Sequence, residues 1–200
     1  MLAAAFKEWA AVCHALADGR QTVILRKGGI HESGGVFRPE HNRFWLLPTH
    51  FHAQQQAGLK PTARDLLAAA DAARPPAGEY CLAHLADVVA VHHLDTLAAA
   101  RSLDALHVWS PETVEQRFHY RRPGLYLLVV RVFALPDPVT VPEQPEYAGC
   151  KTWVHLDPAP PAGAAESARP VLSDERFAAV AARVDAALGS AGSASGRPAE

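Results

Sequence analysis

The chain has 200 residues, of which 49% are hydrophobic and 20% are charged, and its formal net charge is −2 at pH 7. This length and apolar content allow one domain with a buried core, which excludes a wholly disordered chain. The nearly balanced charge excludes a polycation that binds nucleic acid over its whole surface, so a basic site must be local. Three isolated cysteines without CxxC spacing, and no apolar stretch near the roughly 20 residues of a membrane span, predict a reduced, soluble, cytoplasmic protein.

The first predicted elements are a helix and two strands. Apolar residues recur at intervals of three and four from Phe6 onward, which predicts an amphipathic helix over residues 3–17. Gly19 can adopt the left-handed conformation that ends such a helix. Residues 22–25 are β-branched and apolar and predict a short buried strand, and "RFWLLP" at residues 43–48 predicts the next one.

The middle of the chain mixes helices and strands without regular alternation. The predicted helices span residues 62–73, 96–106 and 111–120, and the predicted strands span residues 80–94, 125–135 and 150–156. Because the strand at 125–135 is apolar nearly throughout, it should be central and covered on both faces. The order lacks the repeated βαβ units of a doubly wound sheet. We therefore predict an α+β fold with a curved mixed or antiparallel sheet and peripheral helices.

The composition changes after Asp157, where proline and alanine become frequent. The predicted organisation is a single globular domain (1–157), a Pro/Ala-rich linker (158–172), an amphipathic helix (173–189) and a disordered tail (190–200). Phe177 and Val184 share one face of the predicted helix, which Gly189 should end. A lone amphipathic helix is marginal in water, so this face should dock on its own domain or on a partner protein.

Three separated stretches carry a resemblance to a known family. "FKEWAAVCHALADGRQTVILRKGGI", "FWLLPTHFH" and "PEYAGCKTW" resemble a bacterial domain of unknown function, family 1802, from about Ala4 to Asp157. Pro48, Thr49 and His52 match the family's form of the second stretch, and His50 departs from it. This resemblance implies membership of the family but no activity and no catalytic residue.

A shorter stretch, "GRQTVILR", is similar to the signature of ASCH domains, which belong to the PUA-like β-barrels. Gly19 and Arg26 match positions of that signature, whereas Gln21 and Ile24 replace its lysine and glutamate. The resemblance implies a barrel-like sheet and a partner such as RNA or a modified nucleotide. The two replacements argue against the hydrolytic activity known from that class.

A strand that ends in two cations and two glycines is the first candidate site. Glycine amides can approach an anion closely, and an arginine can hold a phosphate through two hydrogen bonds. An ordinary solvated turn is the alternative reading of the same residues. The candidate anion- and nucleic-acid-binding residues are Arg26, Lys27, Gly28, Gly29, Arg43, Trp45, Arg117, Arg121 and Arg122. Core packing is the alternative for most of the four tryptophans, and Trp45 is the one that would stack on a base if any does. Arg117, Arg121 and Arg122 surround an aromatic cluster.

Two histidines at alternate positions are the second candidate site. On an extended segment the imidazoles of His50 and His52 point the same way and can share a metal ion, although chance explains such a pair in a chain with 11 histidines. His52 with Glu8 or His50 would serve a metal-dependent hydrolase or nuclease. We favour a module without catalysis or cofactor that binds RNA, DNA or a nucleotide. The second alternative is an adaptor that binds a protein through residues 173–189.

Overall fold

A computed structural model describes residues 1–27, 30–33, 36–50, 58–149 and 151–194. In chain order the elements are β1 (Ala4–Trp9), α1 (Ala10–Ala17), β2 (Val23–Arg26), β3 (Ile30–Ser33), β4 (Val36–Pro39), β5 (Arg43–Thr49), α2 (Asp65–Ala72), β6 (Glu79–Leu94), α3 (Leu97–Ser102), α4 (Pro111–His119), β7 (Leu125–Pro142), β8 (Trp153–His155), α5 (Ala164–Ser167), β9 (Arg169–Pro170) and α6 (Asp174–Ala194). Short 3₁₀ helices lie at Pro61–Ala63, Asp104–Leu106 and Pro145–Tyr147.

Seven of the described strands form one mixed sheet, in the order β2-β7-β6-β5-β1-β8 with β9 paired to β7. β1 and β5 are parallel, and the other neighbours in this sheet are antiparallel. Register shifts between Leu82 and His84 and between Val88 and Ala90 interrupt the long β6–β7 ladder, and such bulges bend a sheet. The predicted α+β fold with a curved mixed sheet and peripheral helices is confirmed.

The central strands are buried on both faces because alternate side chains enter two different cores. Phe6 and Leu46 belong to the larger core, which also contains most of the first eight residues of β7. Ala5 and Trp45, one position away on the same two strands, belong to a smaller core around Tyr147. The apolar segment at 125–135 lies inside β7, between β2 and β6, as predicted.

The prediction of a helix over residues 3–17 is wrong for its first half. Residues 4–9 form β1, which pairs with β5 and β8, and α1 begins only at Ala10. Both faces of β1 are buried, so its apolar residues show no alternation that would identify a strand. Gly19 follows α1 with φ of +68°, as predicted.

The C-terminal helix packs on the domain of the same chain. Phe177 and Val184 belong to the larger core, and Asp174 forms an ion pair with Arg131 of β7. The segment 158–172 contains α5 and β9. α6 continues through Gly189 to Ala194, so the prediction that this glycine ends the helix is wrong. The predicted tail lies outside the described residues from 195 onward.

No helix in the described ranges combines the length and the apolar character that crossing a bilayer requires.

Candidate anion-binding cleft

The carboxyl ends of β1, β2 and β5 meet at one edge of the sheet. β1 and β5 are parallel neighbours, with Trp9 opposite Thr49. β2 lies at the far end of the strand order, yet its last residue reaches β1 because the sheet is curved. Arg26 donates from Nη1 to the carbonyl of Lys7 at 3.3 Å and from Nη2 to Oγ1 of Thr152 at 2.9 Å. Within the described residues, no backbone pairing joins β2 to β1 or β8, so we call this side-chain bridge the seam.

A buried carboxylate faces the arginine at the seam. Oε2 of Glu8 lies 3.5 Å from Nη1 of Arg26, and the Glu8 side chain is only 1% exposed. The other carboxylate oxygen, Oε1, accepts a hydrogen bond from the backbone N–H of Trp9 at 2.8 Å. The guanidinium carbon of Arg26 also lies 4.8 Å from the ring centroid of Phe6. Ion pair, hydrogen bonds and ring contact together fix the direction of the guanidinium.

A second guanidinium, that of Arg117, interacts electrostatically with the same carboxylate. The guanidinium carbon of Arg117, on α4, is 3.8 Å from the ring centroid of Trp109 and 5.1 Å from that of Trp9. In the described part of the chain, no hydrogen-bond acceptor contacts it. Burial lowers the pKa of Arg117 to about 10, while Glu8 opposes this shift and Arg26 adds to it. The charge of the buried Glu8 carboxylate thus acts on both guanidinium groups, as an ion pair with Arg26 and at longer range on Arg117.

An open cleft of about 810 Å³ extends from the seam and is called the basic cleft below. Its walls come from β1, β2 and β5, from residues 74–80 at the start of β6, and from residues 143–149 together with Lys151. Four cationic side chains line it, Lys7, Arg26, Arg74 and Lys151, against two carboxylates, Glu79 and Glu143. A net positive surface in a chain of net charge −2 is a local concentration of charge, as the composition required.

Hydrogen bonds hold the walls of the basic cleft in place. The buried ammonium of Lys7 donates to the carbonyls of Tyr147 at 2.6 Å and Gly149 at 2.8 Å. Trp9 and Tyr80 present partly exposed rings to the cleft. Partly exposed rings beside cations are the combination on which the bases of a single strand stack.

Lys27 has a structural role that the sequence did not indicate. Its ammonium donates to the carbonyls of Phe118 at 2.8 Å and Gly124 at 2.6 Å, and also to that of Arg122. These bonds tie the loop after α4 to the end of β2. Arg26 instead contacts β1, so the two neighbouring cations do not converge on one anion.

The predicted loop of two cations and two glycines therefore needs a correction. Gly28 and Gly29 lie outside the described residues, Lys27 is bound by carbonyl groups, and Arg26 alone lines the cleft. Arg121 and Arg122 lie on the exposed loop that Lys27 holds, and Arg121 adopts a φ of 63°. Anion binding by these two arginines stays a prediction.

Arg43 and Trp45 lie elsewhere in the structure. Arg43 forms an ion pair with Asp87 of the neighbouring strand at 3.0 Å and does not line the basic cleft. Trp45 is 1% exposed in the smaller core, and its Nε1 donates to the carbonyl of Leu2 at 2.9 Å. The prediction that Trp45 stacks on a base is wrong, because inward-facing positions of a central strand are filled by the largest side chains.

The candidate metal ligands are only partly described. His50 lines the basic cleft, whereas His52 lies outside the described residues. Among the side chains that are described, no group of three His, Cys, Asp or Glu residues is placed to hold a metal ion. Glu8, the proposed partner of His52, pairs with Arg26 instead. A metal-dependent hydrolase remains an untested prediction.

Lys7, Trp9, Arg74 and Lys151 are cleft residues that sequence reasoning missed. They come from segments up to 144 positions apart, the separation of Lys7 and Lys151. Lys7, Trp9 and Lys151 lie within the stretches that carry the family resemblance, but that resemblance assigns no role to any residue. The prediction of a helix over residues 3–17 also hid Lys7. A signal that would have identified it is the pair "KE" inside an otherwise apolar stretch that becomes a buried strand.

Comparisons with known proteins match this chain to solved structures and to one family model. Solved structures similar to this chain include a serine-to-alanine mutant of ASCH from Zymomonas mobilis, with TM-score 0.46 and 10% identity over 90% of this chain and 94% of that chain. ASCH from the same organism has TM-score 0.45 and 12% identity, over 90% of this chain and 93% of that chain. No curated protein shows significant similarity. A family model described as a domain of unknown function, DUF1802, matches residues 5–183, which extends past Asp157 into α6. The chain belongs to the DUF1802 family.

Proposed function

We propose that the basic cleft binds the phosphate groups of a single-stranded nucleic acid or a nucleotide. The observation that carries this proposal is the excess of charge at the seam, where Arg26 and Arg117 share the single carboxylate of Glu8. Keeping a partly buried guanidinium without a carboxylate of its own costs stability. An anionic ligand in the cleft would offset this cost, and a stacked, oriented guanidinium suits a phosphate better than a lysine does.

The dimensions and walls of the cleft support the same ligand. A volume of about 810 Å³ lies within the range of about 300–1,000 Å³ that is usual for small-molecule sites. Trp9 and Tyr80 supply ring faces, and Arg26, Arg74 and Lys151 supply positive charge along the same opening. Charge combined with aromatic faces binds single strands with little dependence on base sequence.

A titration with two matched arginine variants tests the proposal. Arg26 ends β2 and Arg43 begins β5. Each pairs with a carboxylate and lies over a phenylalanine ring, but only Arg26 lines the cleft. Fluorescence anisotropy with a short labelled RNA strand, and its DNA equivalent, should show binding at low salt. The affinity should fall by about twentyfold between about 50 and about 200 mM salt, as expected for about three neutralised phosphates.

The Arg26→Gln variant should bind about tenfold more weakly, and Arg43→Gln should bind within about twofold of the original chain. Absence of binding at low salt would overturn the proposal. An equal loss in the two variants would also overturn it, because it would show that binding depends on net charge and not on the cleft.

A further inference from the structure

A second pocket opens beside the basic cleft and differs from it in chemistry. Its volume is about 100 Å³, and α1, α2, β5 and β6 form its walls. It shares Pro48, His50, Pro75 and Tyr80 with the basic cleft, so the two openings are continuous. None of the described residues that line this side pocket is Lys, Arg, Asp or Glu. A charged cleft therefore leads into an uncharged pocket.

Two imidazoles in the side pocket, those of His14 and His84, are electrically neutral at pH 7. Burial lowers the pKa of both imidazoles, and the nearby His14 lowers that of His84 further. The charge of Asp18 opposes both shifts. A neutral imidazole carries one hydrogen-bond donor and one acceptor. The pocket thus combines apolar walls with groups that can either donate or accept a hydrogen bond.

The two cysteines of the side pocket are thiols rather than thiolates. Burial raises the pKa of Cys13 and that of Cys81, and the charge of Glu8 raises that of Cys13 further. A protonated thiol is a weak nucleophile and behaves as a small apolar group. The chemistry of this pocket is therefore that of binding, and an anion would find no lysine or arginine among its described lining residues.

We propose that the side pocket holds the base of a pyrimidine nucleotide whose phosphate lies in the basic cleft, an inference that rests on the proposed function. A nucleotide has the same division of character as the site, with a charged phosphate joined to a neutral ring that both donates and accepts hydrogen bonds. A cavity of about 150 Å³ holds a benzene molecule. A pocket of about 100 Å³ that opens onto the cleft can enclose most of one six-membered ring, whereas the second ring of a purine would extend out of it.

Calorimetric titration of the full chain with three ligands tests this inference. Cytidine 5′-monophosphate should bind at least about tenfold more tightly than ribose 5-phosphate, since the base adds buried area and hydrogen bonds. Adenosine 5′-monophosphate should bind with an affinity close to that of ribose 5-phosphate. The difference between the first two ligands isolates the contribution of the base from that of the phosphate.

Leucine substitutions at two alanines give a matched pair of variants. Ala83 lies on β6 and lines the side pocket, whereas Ala72 is exposed on α2 and does not line it. Ala83→Leu should lower the affinity for cytidine 5′-monophosphate to that for ribose 5-phosphate, and it should leave the affinity for ribose 5-phosphate unchanged. Ala72→Leu should change neither affinity. If Ala83→Leu does not fold, as circular dichroism would show, Ala73→Leu at the exposed rim of the pocket replaces it.

The outcomes separate this inference from the function on which it rests. Equal affinity for cytidine 5′-monophosphate and ribose 5-phosphate, or no binding of the former, overturns the assignment of the side pocket. An unchanged preference for the pyrimidine nucleotide in the pocket-filling variant overturns it as well. The labelled RNA strand, titrated in the same buffer, still binds in a salt-dependent manner if the basic cleft is a phosphate site, and its failure to bind overturns the proposed function.

Discussion

Nη1 of Arg26 lies 3.5 Å from Oε2 of Glu8, and this contact joins β2 to β1 across the seam of the curved sheet. Glu8 is the buried carboxylate that Arg26 and Arg117 share. Its charge therefore has two effects of opposite sign. It stabilises the folded protein, and it weakens the positive potential that the cleft presents to a phosphate.

The Glu8→Gln variant separates these two effects. We expect the free energy of unfolding to fall by about 3 kcal/mol, because a buried guanidinium loses its partner. We expect the affinity for the labelled RNA strand to rise severalfold, because one negative charge beneath the cleft is removed. Urea denaturation and anisotropy measure the two quantities, and weaker RNA binding in a folded variant would contradict the assigned location of the ligand.

Lys27 should contribute to stability and not to binding. Lys27→Met removes the donor for three carbonyl groups in the loop after α4, and we expect the free energy of unfolding to fall by about 2 kcal/mol. The RNA affinity should stay within about twofold of the original value. A loss of binding without a loss of stability would show that the lysine contacts the anion itself, as the sequence alone suggests.

Arg117 should resist replacement by lysine. The planar guanidinium does not line the basic cleft but lies 3.8 Å from the centroid of the Trp109 ring and 5.1 Å from that of Trp9, which does. An ammonium cannot reproduce this stacking, which holds the Trp9 ring at the cleft. We expect Arg117→Lys and Arg117→Met to weaken RNA binding to a similar degree, by about tenfold each. Full affinity in the lysine variant would show that only the charge at this position matters.

His107 should make the protein less stable in mild acid. Its side chain is 6% exposed, and burial, assisted by the charge of Lys60, lowers its pKa to about 4 from an ordinary value of 6.5. Between these values the unfolded chain binds a proton that the folded chain does not. Its contribution to stability is complete above pH 6.5 and is lost as the pH falls towards 4.

From pH 7 to pH 5 the expected loss from His107 is about 2 kcal/mol, which is about 1.4 kcal/mol for each pH unit below 6.5. Urea denaturation at both pH values gives the change in the free energy of unfolding for the original chain and for His107→Asn. The difference between these two changes is the loss that His107 causes. An identical pH dependence in both proteins would contradict the assignment of the shift to this residue.

The docking of α6 is tested at its buried aromatic residue. Phe177 is 8% exposed in the larger core, whereas Arg176 beside it is exposed. Phe177→Ala should lower the free energy of unfolding by about 3 kcal/mol, and Arg176→Ala should change it by less than about 0.5 kcal/mol. Equal stability of the two variants would show that the helix does not pack on its own domain in solution.

The sequence predicted correctly those elements of the fold that have a strong local sequence pattern. The long apolar run inside β7 indicated a central strand, and Gly19 indicated the end of α1. Residues 4–9 were assigned to a helix because their apolar residues continue the spacing of the following helix. What makes them a strand is the pairing with β5 and β8, and no local pattern contains such information.

The candidate site was predictable only by residue type. Arg26 and Arg117 were both among the predicted residues, but 91 positions separate them, and only in the folded chain does the charge of Glu8 act on both. The contact of the Arg117 guanidinium with the rings of Trp109 and Trp9 depends on the packing of α4 against the end of β1. The prediction for Trp45 was wrong because the sequence does not distinguish an aromatic residue that faces the core from one that faces solvent when a cation lies near it in the chain.

The indole N–H resonances in a nitrogen-15 NMR spectrum test the location of the ligand most directly. The chain has four tryptophans, and Trp9 is the one that lines the basic cleft as far as the structure describes it, whereas Trp45 is buried with its Nε1 bonded to Leu2. Addition of the RNA strand should shift the Trp9 resonance in a saturable manner and leave that of Trp45 in place. Saturable binding with an unchanged Trp9 resonance would contradict the assignment of the cleft as the phosphate site.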